Sequence, residues 1–146
     1  MASKLGVDLK VTRLLLEIGV MAVWMGRSTD GEAIVRHVKA FRDDVPHPGS
    51  ALAGAFLFQG RHQDAIAETR SLLTRFPNHQ MAKSLLGIAM FESGHRDWEK
   101  PLREVIADGR DQWAITLAQD TLGYDYKPAA PRGPAAGPPR AGAALA

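Results

Sequence analysis

The side chains that could hold a metal ion are scattered along this chain and do not fall at motif spacing. The histidines are the obvious ligand candidates, and they lie at His37, His47, His62, His79 and His95. No two of them form an i, i+4 pair, no HExxH motif occurs, and four fall in or beside predicted turns between helices. We interpret them as solvated turn residues and predict no metal site and no cofactor.

Nucleophilic chemistry has as little support. Ser28 and Ser50 lie near no recognisable base in the sequence. Cysteine is absent, which excludes a thiol nucleophile, a thiolate metal site and a disulfide framework. Asp43 and Asp44 lie near a predicted helix end, where solvated carboxylates are common. No glycine-rich phosphate loop occurs. We predict that the chain is not an enzyme.

The elements that position these residues follow a 34-residue period. Gly26, Gly60 and Gly94 are spaced 34 residues apart, and four more columns keep the same phase. Those columns hold Ile18/Leu52/Leu86, Gly19/Ala53/Gly87, Ala22/Phe56/Met90 and Val23/Leu57/Phe91. Small residues at a helix crossing and glycine at the turn, with this period, are typical of tetratricopeptide repeats. We predict an all-α, tetratricopeptide-like right-handed stack of three helix pairs plus a C-terminal capping helix.

Local signals place the helix ends. The first helix should run from about Asp8 to Met25, and Thr29 with Glu32 predicts a capping box for the second. The segment 46–49 holds two prolines and is predicted as a turn.

The third pair departs from the repeat pattern. It should begin with Asn78 as its N-cap, and Pro101 should start its second helix. Trp98 would then lie in an elongated turn and plug the end of the core. A last helix over 111–122 would cap the third pair, with Trp113, Ala114, Leu117 and Ala118 on one face.

Composition excludes several other classes. The net charge is +2 over 146 residues, and Lys and Arg alternate with Asp and Glu, so nucleic-acid binding is not predicted. The most apolar segment, 11–25, contains Glu17 and is shorter than the ~20 residues of a membrane span. We predict no membrane insertion, no signal peptide and a cytoplasmic location, with the periplasm or export through a secretion apparatus as alternatives.

The domain boundaries follow from the same features. Residues 1–7 are predicted as a flexible start and 8–124 as the repeat domain. Residues 125–146, rich in proline, alanine and glycine, are predicted as a disordered tail.

The first helix of each pair should line a concave groove. The column of Ile18, Leu52 and Leu86 should fill the core, and small residues in the next column should allow close backbone approach. The predicted groove positions are Val20, Val23, Trp24, Leu57, Phe58, Ile88 and Phe91. Because they are apolar, they suit the apolar face of an amphipathic helix. Two alternatives stay open: Trp24 and Phe58 belong to the core, or they are covered by the C-terminal helix or by a second copy.

The run from Leu14 to Gly123 resembles the tetratricopeptide-like proteins of Hrp-type type III secretion systems in plant-associated bacteria. It is similar, more distantly, to the chaperones of needle subunits. The residues that carry the resemblance are the block 82–87, Phe91, Gly94, Asp97 and Trp98, with Gly60, Asp64, Ala65 and 75–77. The Gly-x-x-Asp-Trp turn followed by Pro101 distinguishes this family from generic repeats.

The resemblance implies a non-enzymatic interaction module of a bacterial type III secretion system that contributes to virulence. In this role the groove would hold an amphipathic helix of a needle or pilus subunit and prevent early polymerisation. One alternative is a self-associating structural component on the envelope side of the apparatus. A second alternative is a generic tetratricopeptide scaffold outside secretion.

Overall fold

The computed structural model describes residues 8–123, which form seven α-helices and, within that range, no strand. The helices are α1 (Leu9–Trp24), α2 (Ser28–Phe41), α3 (His47–Phe58), α4 (His62–Arg75), α5 (Gln80–Glu92), α6 (Glu99–Asp108) and α7 (Gln112–Gly123). The all-α prediction is therefore confirmed for these residues. The predicted start at 1–7 and the predicted tail at 125–146 lie outside the described residues.

The periodic glycines end three helices in the same way. Gly26, Gly60 and Gly94 have φ of 84°, 72° and 77°, a left-handed conformation that glycine adopts without steric cost. In each turn the glycine N–H donates to the carbonyl three residues back, and the next N–H donates to the carbonyl five residues back, at 2.8–3.1 Å. This pair of hydrogen bonds is a Schellman motif. The 34-residue period therefore repeats one chain reversal three times.

Small residues set the distance between the two helices of a pair. A β-carbon on Gly31 would lie 2.3 Å from the carbonyl oxygen of Gly19, so α1 and α2 touch backbone to backbone. A β-carbon on Gly87 would lie 2.5 Å from the Leu102 side chain, and Ala53 is fully buried. The predicted close approach at this column is confirmed.

The helices form an inner and an outer layer. Each helix packs against the next in sequence, and α1, α3, α5 and α7 also contact one another in order. Within residues 8–123, the backbones of α2, α4 and α6 do not approach one another closely, and α2 meets α4 only through long side chains such as the ion pair of Lys39 and Glu68. The stack therefore curves, with the first helices of the pairs on the inner side, as expected for this kind of array.

The predicted plug and the predicted cap are both present. Trp98, the N-cap of α6, packs against two core clusters, one built around Leu52 and the other around Leu102. Helix α7 packs against α5 and α6 through Ala114 and Ala118, which are fully buried. Trp113 does not share that buried face, because its side chain is 78% exposed.

The predicted capping box of α2 is wrong. Thr29 lies inside the helix, and the N-cap is Arg27, which makes no side-chain capping bond. The Arg27 Nε donates to an Asp30 carboxylate oxygen at 3.0 Å. Glu32 pairs with Arg36 and with a guanidinium from the next repeat, so its carboxylate is not available to the N-cap.

The predicted turn at 46–49 is wrong in most of its length. Helix α3 begins at His47, and Pro48 lies in its first turn, where the missing N–H has no helical partner to lose. Gly49 packs so closely that a β-carbon there would lie 2.8 Å from Leu72 Cδ1. Packing against α4 therefore makes this segment helical.

Two other starts differ from prediction by one or two residues. The N-cap of α5 is His79 instead of Asn78, and α6 begins at Glu99 instead of Pro101. Pro101 occupies the first turn of α6, so the helix can begin earlier than the proline.

Candidate partner-binding groove

The inner layer presents two columns of the repeat on one side of its first helices. The columns are Val20/Gly54/Ile88 and, one helical turn later, Trp24/Phe58/Glu92. We call these six residues the inner groove. Each column contains one residue from α1, one from α3 and one from α5, because the three identical Schellman turns keep the helices in phase.

An aromatic pair dominates the N-terminal part of the inner groove. The side chains of Trp24 and Phe58 are 63% and 54% exposed, and their ring centroids lie 6.2 Å apart with a 37° tilt. Large apolar side chains with this exposure often mark a surface that binds another molecule. The contact between the rings joins the last turns of α1 and α3 into one apolar surface.

A notch lies beside this pair. Val20 and Ile88 are half-buried, and no atom lies within 4 Å of where a β-carbon on Gly54 would be. The middle repeat therefore leaves open space at Gly54, in the column where the neighbouring repeats carry Val20 and Ile88. An apolar side chain from a partner fits such a notch.

A known structure shares this fold. The chain superposes on the crystal structure of the Sgt2 TPR domain from Aspergillus fumigatus with a TM-score of 0.61, at 18% identity, over 92% of this chain and 93% of that one. The fold is tetratricopeptide-like. At this identity the likeness establishes the fold alone. No protein-family model matches the sequence, and no curated protein matches it.

One of the predicted columns of this tetratricopeptide array does not line the groove. Val23 is fully buried, and its Cγ2 would lie 2.7 Å from a β-carbon on Gly31 in α2. Leu57 packs against the main core cluster, and the Phe91 ring lies 4.6 Å from the Trp98 ring. Val23 and Phe91 therefore face the second helix of their own pair, and Leu57 faces the core, so the column stabilises the fold.

The column predicted to fill the core, Ile18/Leu52/Leu86, is exposed at its first member. Leu52 is buried and Leu86 is half-buried, but Ile18 is 45% exposed. Within the described residues no repeat precedes α1, so nothing covers the side of α1 on which Ile18 lies.

In the third repeat, a polar pair of Glu92 and His62 takes the place of the exposed aromatic side chains. Glu92 takes the position of Trp24 and Phe58, and its Oε2 lies 2.9 Å from His62 Nδ1. Burial raises the pKa of Glu92 above its ordinary value, against the attraction of His62. The apolar surface is therefore concentrated on the first two repeats.

Ion pairs between repeats join the outer helices α2 and α4. The Arg61 Nη1 donates to Glu32 Oε2 at 2.7 Å, and Lys39 pairs with Glu68. Burial opposes ionisation of Glu32, but hydrogen bonds and charges from Arg36 and Arg61 lower its pKa below the ordinary value. Sequence reasoning missed these pairs. A signal was present, because Glu32 with Arg61 and Lys39 with Glu68 are opposite charges at the same separation of 29 residues.

Ser50 does have a base beside it, contrary to the sequence prediction. Its Oγ lies 2.6 Å from His79 Nε2, and the His47 and His79 rings are 5.9 Å apart. Burial lowers the pKa of His79, and His47 lowers it further while Asp111 opposes the change. Ser50 is 8% exposed, so the hydroxyl joins the start of α3 to the start of α5. A buried hydroxyl of this kind is poorly placed for attack on a substrate.

Residues 8–123 contain neither a cluster of metal ligands nor a membrane span. No group of three or more His, Cys, Asp or Glu side chains there could hold a metal ion. Within the same range, every helix is too short or too polar to cross a membrane.

Proposed function

We propose that this chain is a non-enzymatic protein-interaction module that holds an amphipathic helix of a type III secretion filament subunit in its inner groove. Tetratricopeptide-like folds commonly serve as scaffolds for protein binding. The observation that carries the proposal is the exposed pair of Trp24 and Phe58 beside the notch at Gly54.

The shape and chemistry of the groove favour a helix as the ligand. Its exposed rings, Trp24 and Phe58, occupy equivalent positions on α1 and α3, and the notch at Gly54 lies one turn before Phe58 on α3. An amphipathic helix can place one large apolar side chain in the notch and pack its neighbours against the rings. An extended, charged chain terminus would instead need cationic or amide side chains, and the inner groove has none among its six residues.

The available apolar surface is large enough for stable binding. Burial of about 400–600 Å² of apolar surface from groove and ligand together is worth roughly 10–15 kcal/mol. Loss of translational freedom and side-chain ordering cancels about half of this, and the roughly 5–8 kcal/mol that remains corresponds to a dissociation constant between about 200 μM and about 1 μM.

The choice of a secretion filament subunit rests on the resemblance carried by the turn from Gly94 to Trp98. In the structure this turn delivers Trp98 to both core clusters, and Pro101 lies in the first turn of the following helix. A module that prevents early polymerisation of a filament subunit acts before export, so we place the complex in the cytoplasm.

A binding assay with matched variants tests the proposal. The filament subunit encoded nearest to the gene of this protein is titrated into the full chain by calorimetry. Phe58→Glu places a charge in the groove and should abolish binding. Ala67→Glu adds the same charge to an exposed position on α4 and should leave binding unchanged.

Two outcomes would contradict the proposal at different levels. If amphipathic helices of other origin bind and no filament subunit does, the secretion assignment is wrong and the groove remains. If Phe58→Glu and Ala67→Glu both retain full affinity for the subunit, the inner groove is not the binding surface.

A further inference from the structure

Helix α1 carries a second apolar surface on the side that faces away from the array. Five of its side chains are between 45% and 76% exposed, and they are Val11, Leu14, Ile18, Met21 and Met25, the last just beyond the helix end. We call these five residues the α1 seam. Their spacing of three, four, three and four residues is the a/d pattern by which helices pair in coiled coils.

The repeat shows what this side of the helix is built to do. The positions 34 and 68 residues after the three central seam residues are Pro48, Leu52 and Ala55 in α3, and Ala82, Leu86 and Ala89 in α5. Five of these six are buried, and Leu86 is half-buried. In α3 and α5 this side therefore packs against the preceding repeat, and in α1 the same side is open.

Two of the seam residues are larger than their equivalents in the later repeats. At the position of Leu14 the later repeats have Pro48 and Ala82. At the position of Met21 they have Ala55 and Ala89. Terminal repeats of such arrays normally turn a polar face to water. A row of large apolar side chains at this end instead favours burial against another apolar surface.

The opposite end of the array indicates which surface can cover the α1 seam. The side of α7 that faces away from α5 and α6 carries four exposed polar side chains, Gln112, Thr116, Gln119 and Asp120, and one exposed apolar side chain, Trp113. A seam that packed against this polar side would give a head-to-tail filament with a mismatched contact. A seam that packs against its own copy gives a closed, two-fold interface in which both sides are apolar.

We propose that two copies of this chain pair through the α1 seam. The exposed apolar area of the seam is on the order of 500 Å² per copy, so the dimer buries about 1,000 Å², near the lower limit for a specific interface. This predicts a dissociation constant in the micromolar range. The seam shares no residue with the inner groove, so dimerisation does not depend on the proposed function.

Sedimentation velocity of the full chain over a wide concentration range tests this proposal. A reversible monomer–dimer equilibrium is expected. Ile18→Glu, in the middle of the seam, should weaken dimerisation by at least about a hundredfold, because each copy would bury an unpaired carboxylate. Thr116→Glu, the matched change on the polar side of α7, should leave the equilibrium unchanged.

Cross-linking adds a positional test, because the natural chain contains no cysteine. Ile18→Cys should form an intermolecular disulfide under mild oxidation, since the centre of a two-fold seam meets itself. Thr116→Cys should stay monomeric under the same conditions. A monomer at every concentration, or oligomers that keep growing with concentration, would overturn the proposal, as would a dimer that Ile18→Glu does not weaken.

Discussion

The N-terminal and C-terminal ends of the array bury their apolar residues to very different extents. At the N-terminal end the α1 seam is exposed, and Trp24 and Phe58 stand open beside it. At the C-terminal end, α7 covers the last pair with two fully buried alanines, and Phe91 packs on Trp98. The same repeat therefore builds a more closed end and a more open one, and both proposed interaction surfaces lie at the open end.

A carboxylate introduced at each end should give the largest difference in the free energy of unfolding between the two ends. Ala118→Asp puts an unpaired charge between α7 and its neighbours and should lower the free energy of unfolding by about 4 kcal/mol. Ile18→Asp should change it by less than about 0.5 kcal/mol, because the side chain already faces water. Chemical denaturation at low protein concentration measures both. Equal losses at the two ends would remove the distinction between them.

The helix crossings provide the next contrast. Gly31→Ala should cost about 3 kcal/mol, because its β-carbon would meet the Gly19 carbonyl, which cannot move without shifting α1. Gly87→Ala should cost about 1.5 kcal/mol, since the nearest group is the Leu102 side chain. Gly54→Ala is the matched control and should stabilise the fold by about 0.5–1 kcal/mol, because open space lies beside it. Urea unfolding in which Gly87→Ala costs more than Gly31→Ala would contradict this ranking.

Phe91 and Phe58 belong to adjacent columns of the repeat, one facing the core and the other facing the inner groove, so their substitution should affect stability differently. Phe91→Ala should lower stability by about 2 kcal/mol, because it removes a ring packed on Trp98. Phe58→Ala should lower it by less than about 0.5 kcal/mol, because more than half of that ring is in water. Thermal unfolding followed by circular dichroism gives both values. A larger loss from Phe58→Ala would mean that Phe58 belongs to the core.

The smallest effect on stability should come from a change of pH, through His79 at the start of α5. The pKa of His79 is lowered by burial, so the folded chain binds a proton there less readily than the unfolded chain. Stability is then fully present above the ordinary histidine pKa of 6.5 and is lost as the pH falls toward the lowered value. Unfolding midpoints between about pH 7 and about pH 5 should show this slope in the natural chain and a weaker slope in His79→Gln. His37→Gln, a change at an exposed histidine, should keep the full slope.

Periodic features were predictable from sequence, and features that depend on distant neighbours were not. The glycine turns, the small crossing residues and the seven helices follow from spacing, because each is decided within one pair of helices. Val23 was assigned to the groove wrongly, because only the position of Gly31 in α2 shows that its side chain turns inward. The contact between Ser50 and His79 spans two repeats and leaves no local signal.

The open end was missed for a related reason. Spacing placed Ile18 in the same column as Leu52, and the two have the same local pattern. Their exposure differs because a preceding repeat covers Leu52 and none covers Ile18 in the described chain. A period identifies equivalent positions, but it does not say which copy is at the end.

Amide chemical-shift mapping of the complex with the filament subunit tests the central claim most directly. The account predicts that the largest changes fall on the inner groove, at Val20, Trp24, Gly54, Phe58 and Ile88, while the outer helices α2, α4 and α6 change little. Changes centred on those outer helices, or no change at saturating subunit, would contradict it.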